Sequence, residues 1–287
     1  MRNMRLLQPL MQDRHLSKPK IESTAEFTQT FKRLKVETNE IAKELIVLVR
    51  GTSEEKVFTR MLHCADILTD TSAGITTYFC KNRLCKICNR NRTQMQYAKY
   101  VDYISKIKQL QLITLTNFVG FKKDLNTEIN EMKRVFKNVR EQYRKRGQLL
   151  SGIWKFETVI EMEQKIYNIH FHVIIEGSKE VGETIKDKWL KYFISAKEHG
   201  QLVETINPEN KKKVLSYLSK EFYKVDFSHP NSAKALHKVY NALYKQRLFQ
   251  AFGDAIKAKK VVAKKRAKSE IKLLSKSSFF IDNWYPV

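Results

Sequence analysis

The distribution of apolar and polar residues predicts a chain that alternates between strands and helices. Alternating or β-branched stretches predict strands over 110–116, 152–160 and 167–176, the first of them ending before Asn117. Apolar residues at helical spacing predict helices over 26–50 (one or two), 52–62, 89–108, 183–197, 209–224 and 232–256, and a further helix containing Ile129 and Tyr143. Residues 1 to about 25 are polar and predict an extended arm.

The last predicted strand, 167–176, contains the most informative residues of the chain, His170-Phe171-His172. Residues two apart on a strand point to the same face, so the two imidazoles project side by side. A tight turn at Glu163-Gln164 would pair residue 160 with 167 and Glu157 with His170, which adds a carboxylate to that face. Two histidines and one glutamate leave open positions on a divalent metal ion, as catalytic sites require.

Two simpler readings of these residues remain open. Two neighbouring histidines are often surface or hydrogen-bonded core residues, and a strand glutamate is often an ordinary surface charge. A slip of one residue in the hairpin register would turn Glu157 to the opposite face.

The predicted helix 209–224 offers a nucleophile. Its apolar face comprises Val214, Leu215, Leu218 and Phe222. Tyr217 lies on the flank of that face, with Lys220 and Glu221 one turn further on, while Tyr223 is predicted to point to solvent. A tyrosine phenol beside a metal-bound phosphate can attack it and form a covalent phosphotyrosine. The alternative is a tyrosine that only packs at the edge of a helix.

Net charge indicates the partner. The chain of 287 residues has 54 Lys and Arg against 30 Asp and Glu, a net charge of +24, which favours a nucleic acid over an anionic membrane surface. The basic residues predicted to contact DNA are Arg83, Lys86, Arg90, Arg140, Arg144, Lys264, Lys265 and Arg266. No apolar run reaches the ~20 residues of a membrane span, and no signal peptide is evident, so a cytoplasmic protein without membrane contact is expected.

Four cysteines predict a second metal site. Cys80, Cys85 and Cys88 lie close together in the sequence and Cys64 lies upstream. Clustered cysteines in a reducing compartment bind metal more often than they form disulfides, and Cys85-x-x-Cys88 has the spacing of a zinc knuckle. His63 is an alternative fourth ligand. Buried free thiols or a redox pair are the other readings.

These motifs together resemble the rolling-circle replication initiators of small plasmids of Gram-positive bacteria, within the HUH endonuclease superfamily. The resemblance extends from about residue 60 to 226. It rests on the cysteine motif beginning at Phe79-Cys80, on the strand Leu112-Ile113-Thr114-Leu115-Thr116, on His170-Phe171-His172 and on Tyr217-Leu218-Ser219-Lys220. One position departs from some family members, which have a glutamate one turn before the tyrosine where this chain has Lys213.

The resemblance implies an α+β fold with a central antiparallel sheet of HUH type, flanking helices, a small zinc lobe and a helical C-terminal region. The implied organisation is an N-terminal extension at 1–55, a cysteine DNA-binding lobe at 56–104, a nicking domain at 105–228 and a basic helical region at 229–287. Implied ligands are Mg²⁺ or Mn²⁺ at His170, His172 and Glu157, and structural Zn²⁺ at the four cysteines.

The implied activity is sequence-specific nicking and strand transfer at the plasmid origin. Tyr217 is the implied nucleophile; Lys220 would offset charge on the phosphate, and Glu221 could act in the terminating cleavage. Implied partners are double- and single-stranded origin DNA, a host helicase and the replication machinery, with a homodimer left open. The alternatives are a mobilisation relaxase or transposase of the same chemistry, and a non-catalytic zinc-dependent DNA-binding regulator.

Overall fold

The structure, a computed structural model, describes residues 24–71, 74–218 and 221–257. Its helices are α1 (Thr24–Leu48), α2 (Glu55–Leu62), α3 (Lys86–Lys106), α4 (Leu125–Lys145), α5 (Lys179–Tyr192), α6 (Lys211–Leu218) and α7 (Ser232–Ala242). Its strands are β1 (Leu68–Thr71), β2 (Gly74–Thr77), β3 (Leu110–Gly120), β4 (Gly152–Glu161), β5 (Ile166–Glu176), β6 (Leu202–Thr205), β7 (Tyr223–Lys224) and β8 (Phe249–Phe252). Single 3₁₀ turns at Glu198–Gly200 and Pro208–Asn210 flank β6.

The hairpin of β4 and β5 forms in the predicted register. Ile160 pairs with Tyr167 and Glu157 pairs with His170. The turn closes through a hydrogen bond from the Lys165 amide to the Met162 carbonyl (3.2 Å), with Lys165 in the left-handed region (φ 55°). The prediction that Glu157 shares the face of the histidine pair is therefore confirmed.

The α+β class with a central sheet and flanking helices is also confirmed, but the sheet is mixed rather than purely antiparallel. Its order is β6-β3-β5-β4-β7, with β8 also pairing with β4. Strand β7 runs parallel to β4. The reason is connectivity: the chain reaches β7 through α6 and not through a hairpin, and α6 carries it from one edge of the sheet to the other.

The two faces of the sheet differ in chemistry. One face, here called the core face, contains Phe156 and Phe171 and packs against α4 and α5; Phe171 contacts Phe136 of α4 (ring centroids 4.9 Å) and Trp189 of α5 (6.1 Å). The opposite face, here called the site face, is divided along its length. One end is apolar and joins α3 and α6 in a second core, which includes Leu112, Ile153, Ile174, Ile104, Leu215 and Leu218. The other end is polar.

Four predicted elements have wrong boundaries, three of them for a tertiary reason. Strand β3 continues past Asn117 to Gly120 because the buried Asn117 side chain is satisfied there, accepting a hydrogen bond from the Ser195 hydroxyl (2.7 Å). The predicted helix 232–256 ends at Ala242, since a left-handed Lys245 (φ 58°) redirects the chain to β8, which pairs with β4.

The predicted helix 209–224 ends at Leu218, and Tyr223 is buried rather than solvent-facing. Tyr223 belongs to β7, where it pairs with Thr158, and its hydroxyl donates to the Leu84 carbonyl (2.8 Å). The predicted helix 183–197 is likewise shifted, forming as α5. The strands β1, β2, β6, β7 and β8 were not predicted. The predicted basic helical region 229–287 lies outside the described residues beyond Lys257, and the predicted division into domains stays a prediction.

Within the described ranges, no helix has the length and apolar composition that crossing a lipid bilayer demands.

We expect Gly152→Ala to destabilise the sheet severely. A Cβ atom at Gly152 would lie 2.0 Å from the Ile174 carbonyl oxygen and 3.0 Å from the Phe252 ring, so β4 would have to move away from β5. The free energy of unfolding should fall by about 2–3 kcal/mol. The control is Gly120→Ala at the end of β3, where nothing lies within 4 Å, and it should cost less than about 1 kcal/mol. Chemical denaturation monitored by circular dichroism measures both values; equal losses would contradict the prediction.

Candidate active site and metal centre

The polar end of the site face consists of two cross-strand rows. Thr114, His172 and Lys155 form one row across β3, β5 and β4, and Thr116, His170 and Glu157 form the next. The His170 and His172 rings lie 5.6 Å apart at an interplanar angle of 27°. His172 is only 3% exposed. The strands therefore place two imidazoles and one carboxylate side by side in a pocket of the site face, with His172 and Glu157 buried and His170 half-buried.

Each imidazole of the pair has one ring nitrogen without a hydrogen-bond partner. The Nδ1 atom of His172 is hydrogen-bonded to the Thr114 hydroxyl (3.0 Å), which fixes the ring. Its Nε2 atom lies 3.4 Å from Glu157 Oε2 without hydrogen-bond geometry, and the buried Nε2 of His170 also lacks a hydrogen bond. Unsatisfied buried nitrogens next to a carboxylate fit a divalent cation, because its coordination would satisfy all three groups.

The protonation states agree with a cation site. Burial, helped by the neighbouring His172, lowers the pKa of His170 to about 4, so its imidazole is neutral at neutral pH and able to bind metal. Burial opposes ionisation of Glu157, but His172, Lys155 and Lys224 outweigh it and hold the pKa of Glu157 below its usual range. The carboxylate is therefore charged at neutral pH.

The three candidate ligands are less tightly grouped than the cysteines. Among the described residues, only the four cysteines form a group of three or more metal-binding side chains with ligand atoms within 4.8 Å of one another. Binding of a cation by His170, His172 and Glu157 would require the side chains to close around it.

Tyr217 lies beside this pocket. Helix α6 buries Val214, Leu215 and Leu218 against the apolar end of the site face. This packing places the Tyr217 ring 5.6 Å from the His172 ring in an edge-on arrangement of 78°. Burial, followed by the charge of Glu157, raises the pKa of Tyr217 to about 12. The phenol is therefore protonated at neutral pH unless a positive charge near its oxygen stabilises the phenolate.

The other two predicted catalytic residues are placed differently. Lys220 lies outside the described residues. The Glu221 carboxylate forms an ion pair with Lys86 Nζ at 2.5 Å, and its backbone carbonyl accepts a hydrogen bond from Lys155 Nζ (2.7 Å). Glu221 therefore joins the site to the predicted cysteine lobe.

The four cysteines meet at one point. Cys64 and Cys88 sulfurs lie 3.7 Å apart, Cys80 and Cys88 3.6 Å, and Cys64 and Cys85 3.5 Å. These distances are too long for disulfides, whose sulfurs are about 2.05 Å apart. Four sulfurs bound tetrahedrally at about 2.3 Å from one zinc ion would be about 3.8 Å apart, so the cluster fits a closed zinc site.

Local structure holds the cluster in place. Cys85 is the N-terminal cap of α3 and accepts a hydrogen bond from the Cys88 amide (3.4 Å). From α1, the Lys35 ammonium donates to the Leu62 and Cys64 carbonyls (2.6 and 2.9 Å). His63 is exposed and hydrogen-bonded to Asp66 (3.1 Å), so Cys64 and not His63 completes the group.

The residues predicted to contact DNA are widely separated. Arg83 donates to the Leu243 carbonyl (2.7 Å), and Arg140 lies over the Phe252 ring (4.6 Å); burial lowers the pKa of both guanidinium groups. Arg144 is exposed and pairs with Glu141 (2.8 Å). Helix α4, which contains Arg140 and Arg144, packs on the core face, opposite the histidine pair. Arg90 is half-buried in α3, and Lys264, Lys265 and Arg266 lie outside the described residues.

Four residues of the site were not predicted. Lys155 precedes Glu157 by two positions, so strand periodicity alone puts it on the same face. Thr114 lies in the predicted strand 110–116. Gln201 donates a hydrogen bond to the Thr116 hydroxyl (2.9 Å) and accepts one from the Thr116 amide (2.7 Å). No sequence pattern around Gln201 indicates this role. Lys224, whose Nζ lies 2.7 Å from Glu157 Oε1, was hidden because its segment was predicted to be helical.

Comparisons with known proteins agree with one another. The family model described as "Replication protein" (Rep_1) matches residues 74–278. A Protein rep of Streptococcus pneumoniae serotype 2 is 26% identical over 164 residues, covering 52% of this chain and 49% of the relative. A Protein rep of Staphylococcus aureus is 29% identical over 129 residues, covering 42% of this chain and 52% of the relative.

The chain thus spans about half the length of the curated relatives it matches. No solved structure matches it.

We expect the purified protein to contain one zinc ion per chain, bound by the four cysteines. Cys88→Ala should lose the zinc and lower the thermal midpoint by about 10 °C or more, because structural zinc contributes directly to folding stability. His63→Ala is the matched control and should keep both the zinc and the midpoint. Metal analysis by plasma mass spectrometry and thermal denaturation measure the two effects. Zinc loss in the His63 variant, or full zinc content in the Cys88 variant, would contradict this assignment.

Proposed function

Because the chain belongs to the Rep_1 family of replication proteins, we propose that it initiates rolling-circle replication of a plasmid by nicking one strand of the origin through Tyr217. The product would be a 5′-phosphotyrosine on the protein and a free 3′-hydroxyl that primes synthesis. The same chemistry in reverse would rejoin the strand at termination.

The observation that carries this proposal is the position of Tyr217. Its ring lies 5.6 Å from that of His172, which shares the site face with His170 and Glu157. A lone buried tyrosine would be ordinary packing. A tyrosine next to two imidazoles with unsatisfied nitrogens and an ionised carboxylate has what phosphoryl transfer requires, a nucleophile and a cation site.

The cation would be Mg²⁺ or Mn²⁺, held by the Nε2 atoms of His170 and His172 and by Glu157. When bound, it would supply positive charge to the scissile phosphate. The hydrogen bond between Thr114 and His172 Nδ1 fixes that ring with its Nε2 atom beside Glu157, so Nε2 would be the ligand atom.

In the proposed step, the Tyr217 phenolic oxygen attacks the phosphorus of the scissile phosphodiester. A bond forms between that oxygen and phosphorus while the bond from phosphorus to the 3′-oxygen breaks. The phenolic proton passes to solvent, and the departing 3′-oxygen takes up a proton from solvent. Because one phosphodiester replaces another, the bond energy is kept and attack by a 3′-hydroxyl can release the protein.

Lys220, three residues after the nucleophile, would offset negative charge on the phosphate. Glu221 stays a candidate for the terminating cleavage, for which its carboxylate would first have to leave Lys86. The net charge of +24 supports salt-dependent binding of double- and single-stranded origin DNA. A host helicase, the replication machinery and a second copy of the chain are the further proposed partners.

Tyr217→Phe should abolish covalent adduct formation and nicking while changing origin binding less than about threefold, because only the attacking oxygen is lost. Tyr244→Phe, at an exposed tyrosine remote from the pocket, is the control and should nick at the wild-type rate. Labelled single-stranded origin DNA on denaturing gels reports the adduct, and supercoiled plasmid reports the nick. A Tyr217→Phe variant that still nicks would exclude Tyr217 as the nucleophile. A wild-type protein that binds origin DNA but never nicks it would favour the non-catalytic regulator.

Glu157→Gln should weaken Mn²⁺ binding about tenfold or more and reduce nicking at limiting metal, because the substitution replaces a negatively charged ligand with a neutral amide. Excess Mn²⁺ should restore part of the rate. Glu161→Gln is the matched control and should behave as wild type, because Glu161 lies four residues further along β4, at the end of the hairpin. Titration of single-turnover nicking against Mn²⁺ gives both quantities; nicking that persists in a strong chelator would disprove metal dependence.

A further inference from the structure

Lys224 forms a contact that the proposed mechanism does not use. Its Nζ atom lies 2.7 Å from Glu157 Oε1, while the other oxygen of Glu157 lies 3.4 Å from His172 Nε2. The candidate metal ligand Glu157 is thus held between an ammonium group and an imidazole.

The two partners of this ion pair differ in exposure. The side chain of Glu157 is 7% exposed and that of Lys224 is 62% exposed. A buried carboxylate is stable only when a positive charge compensates it, whereas a largely exposed lysine loses little by turning back into water. Lys224 is therefore suited to be exchanged for another cation.

Lys155, the other lysine of the site, is different. It is 3% exposed and donates a hydrogen bond to the Glu221 carbonyl at 2.7 Å. Displacing its ammonium would break a buried hydrogen bond, so Lys155 is a fixed charge and Lys224 an exchangeable one.

Strand pairing explains why Lys224 reaches Glu157. In the parallel pair of β7 and β4, Lys224 lies opposite Val159, which is two residues from Glu157 and so on the same face. The preceding Tyr223 points to the other face, where its hydroxyl is bound by the Leu84 carbonyl. Anchoring Tyr223 in the cysteine lobe thereby directs Lys224 to the site.

We propose that Lys224 is the exchangeable countercharge of Glu157: it neutralises the carboxylate before the divalent cation binds, competes with that cation for Oε1, and then pairs with a phosphate oxygen of the bound DNA strand. The last part rests on the nicking function proposed above, whereas the competition with the cation does not. Removal of Lys224 should therefore tighten metal binding and slow nicking, a combination that a purely structural lysine would not produce.

The first test measures Mn²⁺ affinity by isothermal titration calorimetry on the full chain without DNA. Lys224→Met should bind Mn²⁺ about threefold to tenfold more tightly than wild type, the range expected for loss of one partly exposed competitor. Lys224→Arg keeps the charge and should bind like wild type. Lys43→Met, at an exposed lysine on α1, is the control for loss of one positive charge and should change the affinity by less than twofold.

Circular dichroism checks that each variant is folded, and Lys224→Gln replaces Lys224→Met if the latter is not. Unchanged or weaker Mn²⁺ affinity in the uncharged variant, or a wild-type protein that does not bind Mn²⁺, overturns the proposal.

The second test separates this proposal from the proposed function. At saturating Mn²⁺, single-turnover nicking by Lys224→Met should be about tenfold slower than by wild type, although the variant binds Mn²⁺ more tightly. A wild-type rate would overturn the phosphate contact. If Lys224→Met binds Mn²⁺ more tightly but even the wild-type protein forms no adduct, the nicking function fails while the competition between Lys224 and the cation stands.

Discussion

The pairing of β4 with β5 in one register is the constraint on which the site depends. Strand side chains alternate between faces, so a shift of one residue would exchange the two faces of β4 relative to β5. In the observed register, Phe156 and Phe171 both enter the aromatic core beneath α4 and α5, and the alternate residues Glu157 and His170 meet on the other face. Misalignment would bury a carboxylate among aromatic rings. The favourable packing of the aromatic core therefore also fixes the positions of the polar groups on the opposite face.

A second constraint links the site to the cysteine cluster through three residues of the segment 221–224. Glu221 pairs with Lys86, Tyr223 binds the Leu84 carbonyl, and Lys224 reaches Glu157. The first two contacts are made to residues next to Cys85 of the cysteine cluster. Strand β7 is only two residues long and adds little by its own backbone pairing, so these side-chain contacts are what hold it to the edge of the sheet. A structural change at the cysteine cluster would therefore alter the position of Lys224 and its contact with Glu157 through β7.

The residues of the hairpin could be predicted because local sequence determines them. The alternation of 152–160 and 167–176, together with a short polar turn, fixes which residues face one another. The four cysteines were likewise recognisable from spacing alone. Strands β7 and β8 could not be predicted, since Tyr223-Lys224 and 249–252 have no strand pattern that competes with their helical spacing, and both form by pairing with the distant edge of β4. The role of Lys224 could not be predicted without β7, because a residue assigned to a helix has no cross-strand partner in a sheet.

The distribution of positive charge separates the site from the rest of the basic surface. Arg140 and Arg144 belong to α4 on the core face, and Arg83 and Arg140 are engaged by Leu243 and Phe252 within the protein. A DNA strand whose phosphate reaches Tyr217 must instead bind to the site face. The described lysines beside Glu157 on that face are Lys155 and Lys224. Lys155 is buried and bound to the Glu221 carbonyl, so only Lys224 has the exposure to turn towards a phosphate. High net charge would thus bring DNA to the protein generally, while the proposed exchange of Lys224 for a cation at Glu157 would add positive charge at the scissile phosphate itself.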